Sequence, residues 1–270
     1  LQVDPAASRP ELPSLQQVKQ TLRVGTVASR TFAARDPRVR GEIVTREGGT
    51  TLSEAAVARG LRWMSRHQNP DGSWSLHRFH RSSSCRGRCG GRGSIDCDSA
   101  ATSLCLLPFL GAGQTHQTGI YQKVVAQGLR WLLDHQRRNG DLRNGDETNA
   151  GMYTHGQGAI VLCEAFALTR DEQLREPAQR GIDFIVAAQH SFGGWRYRPG
   201  EVGDTSVLGW QLMALQSARS AGLEVPLETW ELANLYLDAV QSNDGSRYAY
   251  QPNRQPTHVM TAEALLCRMY

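Results

Sequence analysis

Apolar and polar positions along this chain repeat one layout four times. An amphipathic stretch of helical period ends in Gln, turns through a short Gly-containing segment, and reaches an aromatic or apolar residue. The stretches are AVARGLRWMSRHQNPDGSW (Ala56 to Trp74), VVAQGLRWLLDHQRRNGDL (Val124 to Leu142), PAQRGIDFIVAAQHSFGGW (Pro177 to Trp195) and ELANLYLDAVQSNDGSRY, ending at Tyr248. Gln68, Gln136, Gln189 and Gln241 are 68, 53 and 52 residues apart, and Gly72, Gly140, Gly193 and Gly245 each follow four residues later. A fixed motif at a near-constant period marks a repeat architecture.

Each unit continues into a second helical stretch of different character. DSAATSLCLLPFL, HGQGAIVLCEAFAL, DTSVLGWQLMALQSA and HVMTAEALLCRM begin near Asp98, His155, Asp204 and His258. They are rich in Ala, Gly, Ser and Leu and poor in charge, as suits helices surrounded by protein, whereas the first helices keep Arg, Glu, Asp or Gln on one face. The expected fold is all-α: outer and inner helices alternating in an α/α toroid, complete or partial. The Gln-to-Trp turns have a structural reading. Gly at the fourth place opens backbone angles closed to other residues, the indole covers a helix end, and the Gln side chain can bond orphan backbone groups.

Residues 1–51 contain Pro5, Pro10, Pro13 and Pro37 and read as a linker with one short amphipathic helix around Leu15 to Arg30, followed by the repeat domain over 52–270. The net charge of +4 on 270 residues argues for no nucleic-acid partner. No apolar stretch approaches the roughly 20 residues of a membrane span. The chain starts at Leu1 without Met and stops at Tyr270 inside an apolar run, which reads as a piece of a longer protein, with any export signal or anchor outside it. Cytoplasmic and exported locations both stay open.

The turns resemble the Gln-x-x-x-Gly-x-Trp motif of squalene–hopene and oxidosqualene cyclases. Gln68/Gly72/Trp74 and Gln189/Gly193/Trp195 match fully, while Leu142 and Arg247 stand where the other two units should have Trp. From about Leu52 to Tyr270 the chain is similar to bacterial prenyltransferase/squalene oxidase repeat proteins, notably in GDTSVLGWQLMALQSA and THVMTAEALLCRMY. The resemblance implies the toroid of the terpenoid cyclase/protein prenyltransferase superfamily. Proton-initiated cyclases open an inner helix with Asp-x-Asp-Asp, whose middle Asp protonates the alkene. The corresponding stretch here reads Glu201-Val202-Gly203-Asp204, so the resemblance implies a repeat domain lacking that acid, with Asp204 kept as a helix N-cap. The prenyltransferase zinc motif Asp-x-Cys is also missing, since the chain reads Asp96-Cys97-Asp98. Polysaccharide lyases share the toroid, but fold alone carries no chemistry.

Candidate chemistry lies in two places. In a toroid, Asp98, His155, Asp204 and His258 would converge at one end of the cavity as a metal or acid/base set. Tyr153, Gln157, Thr205, Trp210, Thr257 and Glu263 would line the same end as ligand-binding residues. The second place is the insertion HRFHRSSSCRGRCGGRGSIDCD, where Gln68 to Asp98 takes 30 residues against 15 to 19 in later units. Cys85, Cys89 and Cys97 with His80 (or His77) admit zinc, with a disulfide or free thiols as alternatives. Arg78, Arg81, Arg86, Arg88 and Arg92 in the same loop suit a phosphate or diphosphate head, or simply a solvated loop.

Three functions are compatible with these residues. The favoured one is a non-catalytic module holding an apolar, isoprenoid or lipid-like molecule or a protein partner. The alternatives are a cyclase- or prenyltransferase-type enzyme with a rearranged Asp/His site, and a purely structural repeat.

Overall fold

The computed structural model describes Phe32, Arg35 and residues 37–82, 84–91, 93–144 and 148–270. The helix expected at Leu15 to Arg30 lies outside the described residues, as does Arg92. Nine α-helices are described: α1 (Pro37–Arg46), α2 (Thr51–Arg66), α3 (Asp98–Gly111), α4 (Gln122–His135), α5 (Gly151–Thr169), α6 (Glu172–Ala187), α7 (Thr205–Ala221), α8 (Leu227–Val240) and α9 (His258–Cys267). Two short antiparallel strands, β1 (Gln241–Ser242) and β2 (Arg247–Tyr248), form the last turn. Helix α1 falls in the stretch read as linker. Next to it, Thr50 and Ser53 form a reciprocal capping box that starts α2, and Arg40 pairs with Glu54.

The architecture is all-α, an arc of an α/α toroid. Inner helices α3, α5, α7 and α9 pack in chain order, and α4, α6 and α8 lie outside them. No packing of comparable extent joins α3 to α9 among the described residues, so the arc is open. Helix α5 is buried along nearly its whole length, which explains its near-absence of charge. Its one acid, Glu164, is paired by Arg35. Among the described residues no helix is long and apolar enough to cross a membrane.

The turns act as staples between units. Gln68 Nε2 donates to Gly72 O and to Val124 O, each at 2.9 Å. Gln136 does the same with Gly140 and Pro177, and Gln189 with Gly193 and Thr229. Each glutamine therefore closes its own turn and ties it to the next outer helix. Trp74 and Trp195 are buried, and each indole donates to a carbonyl ten residues earlier (Met64 and Ile185) at 2.8 Å.

The turn also binds its inner helix. The Trp74 N–H donates to Thr102 Oγ1, the Leu142 N–H to His155 Nδ1, and the Tyr248 N–H to Thr261 Oγ1. In the fourth unit Tyr248, not Arg247, is the buried plate. Asn243, Asp244 and Gly245 all take positive φ there, and the resulting hairpin shifts the inward position by one residue.

Candidate functional site

Asp204 caps α7, accepting from the Val207 N–H and Ser206 Oγ, each at 2.8 Å. Its second oxygen accepts from Tyr250 OH at 2.9 Å, with Arg196 Nε at 3.7 Å. The network extends through Tyr250 to Tyr197 at 2.7 Å and through Ser206 to Tyr153 at 2.6 Å. Burial first, then the hydrogen bonds with Tyr197 and Asp204, push the Tyr250 phenol well above its usual range. Asp204 is fully buried with both oxygens engaged. It holds α7 and Tyr250 together, with the Arg196 guanidinium beside it. Thr205 donates to Ala249 O, which binds the same turn to α7.

Glu263 reaches this network from α9, lying over Gly209, where any side chain would meet its carboxylate. Burial, reinforced by the negative charge of Asp204, raises its carboxyl to about 7. In the unfolded chain a Glu titrates near pH ~4.3. Glu263 thus costs nothing while protonated in both states, and becomes destabilising as pH rises from the unfolded towards the folded value. His155 works in the opposite sense. Burial, the largest influence, lowers it to about 4, so stability is lost as pH falls through the unfolded His range of about 6.5 towards that value. Glu263→Gln is expected to stabilise the protein at pH 7.5, with the gain fading towards pH 4.5, in urea denaturation across pH. A variant less stable than wild type at pH 7.5 would contradict this.

The four residues expected to converge do not form one constellation. His155 is the fifth residue of α5, not its first. It is fully buried, with Nδ1 accepting from Leu142 and Nε2 donating to Gly181 O at 2.9 Å, so no ring nitrogen faces a cavity. The difference is one of register: His155 occupies the staple position held by Thr102 and Thr261 in other units. Asp98 opens α3 and pairs with Arg78 at 2.8 Å, while His258 is exposed at the start of α9. Thr257 caps α9. Gln157 is buried with Oε1 unpartnered, and Trp210 is half-buried against the core. Two groups of three ligand atoms lie within 4.8 Å of one another among the described residues, and neither contains His155, Asp204 or His258.

One of those groups differs from the expected metal set. It consists of Cys85 and Cys89 with His67, not with Cys97 or His80. Cys97 Sγ lies 3.4 Å from Thr154 Oγ1, between α3 and α5. Cys85 and Cys89 carry free thiols. Burial works to raise the Cys85 thiol, but hydrogen bonding with its neighbours, the Cys89 and Arg88 N–H groups among them, outweighs it and brings it to about 7. The other group, His77, Asp96 and Asp98, is already bridged by Arg78.

Around His67 the loop and α2 enclose two adjoining cavities. One, of about 450 Å³, is lined chiefly by Trp63, Trp74, Leu76, Phe79, Ile95, Ala101 and Cys105. The second, of about 390 Å³, is lined by Arg59, Arg62, Arg66 and Arg88 with Cys85 and Cys89. Trp63 and His67 belong to both. Trp63 is 43% and Ile95 49% exposed, so the apolar cavity opens to solvent. A separate groove of about 690 Å³ carries exposed Phe192, Val202 and Leu235.

Sequence reasoning missed His67, Trp63 and the three arginines of α2, because the insertion folds back onto α2 and supplies only half of the site. Residues 44–156 match the family model described as squalene-hopene cyclase C-terminal domain, of the terpenoid cyclase/prenyltransferase superfamily. No curated protein matches the chain.

Proposed function

Starting from residues 44–156 as a squalene cyclase-like repeat segment, we propose that this protein binds an amphipathic isoprenoid or lipid-like molecule and does not cyclise it. The carrying observation is the pair of cavities sharing Trp63 and His67, one apolar and one lined by arginines. A volume of about 450 Å³ is within the range of small-molecule sites, whose walls are mostly apolar with a few polar anchors. Arg59, Arg62 and Arg66 recur along α2, and Arg88 faces them from the loop. Guanidinium groups pair bidentately with phosphate oxygens, so the chain of the ligand sits in the first cavity and its anionic head in the second.

The absence of cyclisation is supported at Gly203. It stands where the resembling cyclases carry their acid, and it has no proton to give. The groove at Phe192, Val202 and Leu235 favours a second reading, a protein partner on the outer face.

Titration with farnesyl diphosphate and with farnesol, followed by tryptophan fluorescence, tests the reading. Trp63→Ala is expected to weaken both by roughly tenfold or more, in line with about 1.5–3 kcal/mol for burying a large apolar side chain. The double variant Arg62→Ala/Arg66→Ala should weaken the diphosphate and leave farnesol nearly unchanged. Unaltered binding in Trp63→Ala would sink the assignment.

A further inference from the structure

We propose that His67, Cys85 and Cys89 are the three protein ligands of a zinc ion whose fourth position opens into the arginine-lined cavity. The inference is independent of the lipid reading, since it is read by metal alone.

Three features support the geometry. First, the ligand atoms lie within 4.8 Å of one another, and His67 Nε2 is 3.5 Å from Cys89 Sγ. With Zn–S near 2.3 Å and Zn–N near 2.0–2.1 Å, the edge of a tetrahedron between N and S is about 3.6 Å. The two donors already stand at that separation. Cys85 and Cys89 have a Cys-x-x-x-Cys spacing, within the range of zinc-binding pairs.

Second, the outer contacts orient the donors. His67 Nδ1 lies 2.7 Å from Trp63 O, and a carbonyl can only accept, so Nδ1 carries the proton and Nε2 presents its lone pair. Such a bond from the non-ligating nitrogen is the usual support of a metal-bound histidine. The ring also stacks on Trp63 at 3.9 Å. The Cys89 N–H donates to Cys85 Sγ at 3.2 Å, which steadies a thiolate in place.

Third, the molecule contains its own control. His135 repeats the arrangement, with Nδ1 2.7 Å from Trp131 O and the same ring stacking. No metal-ligand group includes it among the described residues. The histidine geometry is therefore a property of the repeat, and the two thiols are what the insertion adds to the first unit.

Charge balances. Binding releases the thiol protons of Cys85 and Cys89 to solvent, and two thiolates cancel the ion's charge, so the arginines face a neutral centre. With three protein ligands the fourth site takes water or an anionic oxygen.

The test is elemental mass spectrometry of the full chain purified under reducing conditions without chelator. It is paired with cobalt(II) titration of the chelator-treated protein, read by thiolate-to-cobalt charge-transfer absorption. One ion per chain is expected. The absorption should be strongly reduced in Cys85→Ser and Cys89→Ser and weakened in apparent affinity at least about tenfold in His67→Ala. It should be unchanged in Cys97→Ser, His80→Ala and His135→Ala. Circular dichroism would show that each variant is folded. No charge-transfer absorption in the reduced wild type, or full absorption and affinity in folded Cys85→Ser and Cys89→Ser, would overturn the assignment.

Discussion

Gly203→Asp, the change that would formally restore the acid of the cyclase motif, is expected to destabilise the protein by about 4 kcal/mol or more and to create no cyclase. A β-carbon at residue 203 would sit 2.6 Å from Gly194 Cα and 3.0 Å from Trp195 N. The backbone cannot retreat easily, because the Gly203 carbonyl accepts from Tyr236 OH at 2.8 Å and from Gln251 Nε2 at 3.2 Å. The added carboxylate would also stand beside buried Asp204, like charge against like. For a chain of this size 1 kcal/mol moves the melting temperature by roughly 2–4 °C, so a fall of about 10 °C or more is expected in thermal denaturation. Gly203→Ala separates the steric part from the charge, and no cyclised product is expected from squalene with either. A Gly203→Asp protein as stable as wild type would refute the packing account.

Gly193→Ala carries the second large effect. Its φ is +88° and its β-carbon would fall 1.8 Å from Leu232 O, inside the staple between the α6 turn and α8. The left-handed backbone costs a residue with a side chain about 1–2 kcal/mol, and overpacking against a fixed carbonyl adds typically about 1–3 kcal/mol. Gly200 supplies the comparison, with φ +74° and nothing within 4 Å of a β-carbon. Gly200→Ala should lose only the backbone part. Urea denaturation of the two variants side by side checks this: equal losses would mean that close approach to α8 contributes nothing.

The fold was legible because the repeat is enforced by chemistry that leaves a mark. Only glycine tolerates both the φ and the approach to a neighbouring carbonyl at positions 72, 140 and 193, and only a side-chain amide makes the paired bonds of Gln68, Gln136 and Gln189. Register within the units was less legible. His155 looked like a helix-opening ligand because α5 starts four residues earlier, at Gly151, without a polar N-cap to announce it. The fourth turn slipped because three consecutive positive-φ residues cannot be read from a motif that fixes only Gln and Gly.

The candidate site was half legible. Cys85 and Cys89 and the basic loop stood out, but their partners lie on a helix whose own sequence repeats elsewhere in the chain. RWMSRHQ, across the end of α2, has its counterpart in RWLLDHQ across the end of α4, so nothing local marks His67 as different from His135. Only the return of the insertion across α2 distinguishes them. The Asp204 network has the same origin: Tyr153, Arg196, Tyr197, Tyr250 and Glu263 come from successive units and meet only after the inner helices pack.

The most direct test of the central claim is equilibrium dialysis of the full chain against farnesyl diphosphate, with mass spectrometry of what the protein releases. Saturable binding and recovery of the unaltered diphosphate is the expected result. No binding, or recovery of a cyclised or otherwise transformed product, would contradict a binding domain that performs no chemistry on its ligand.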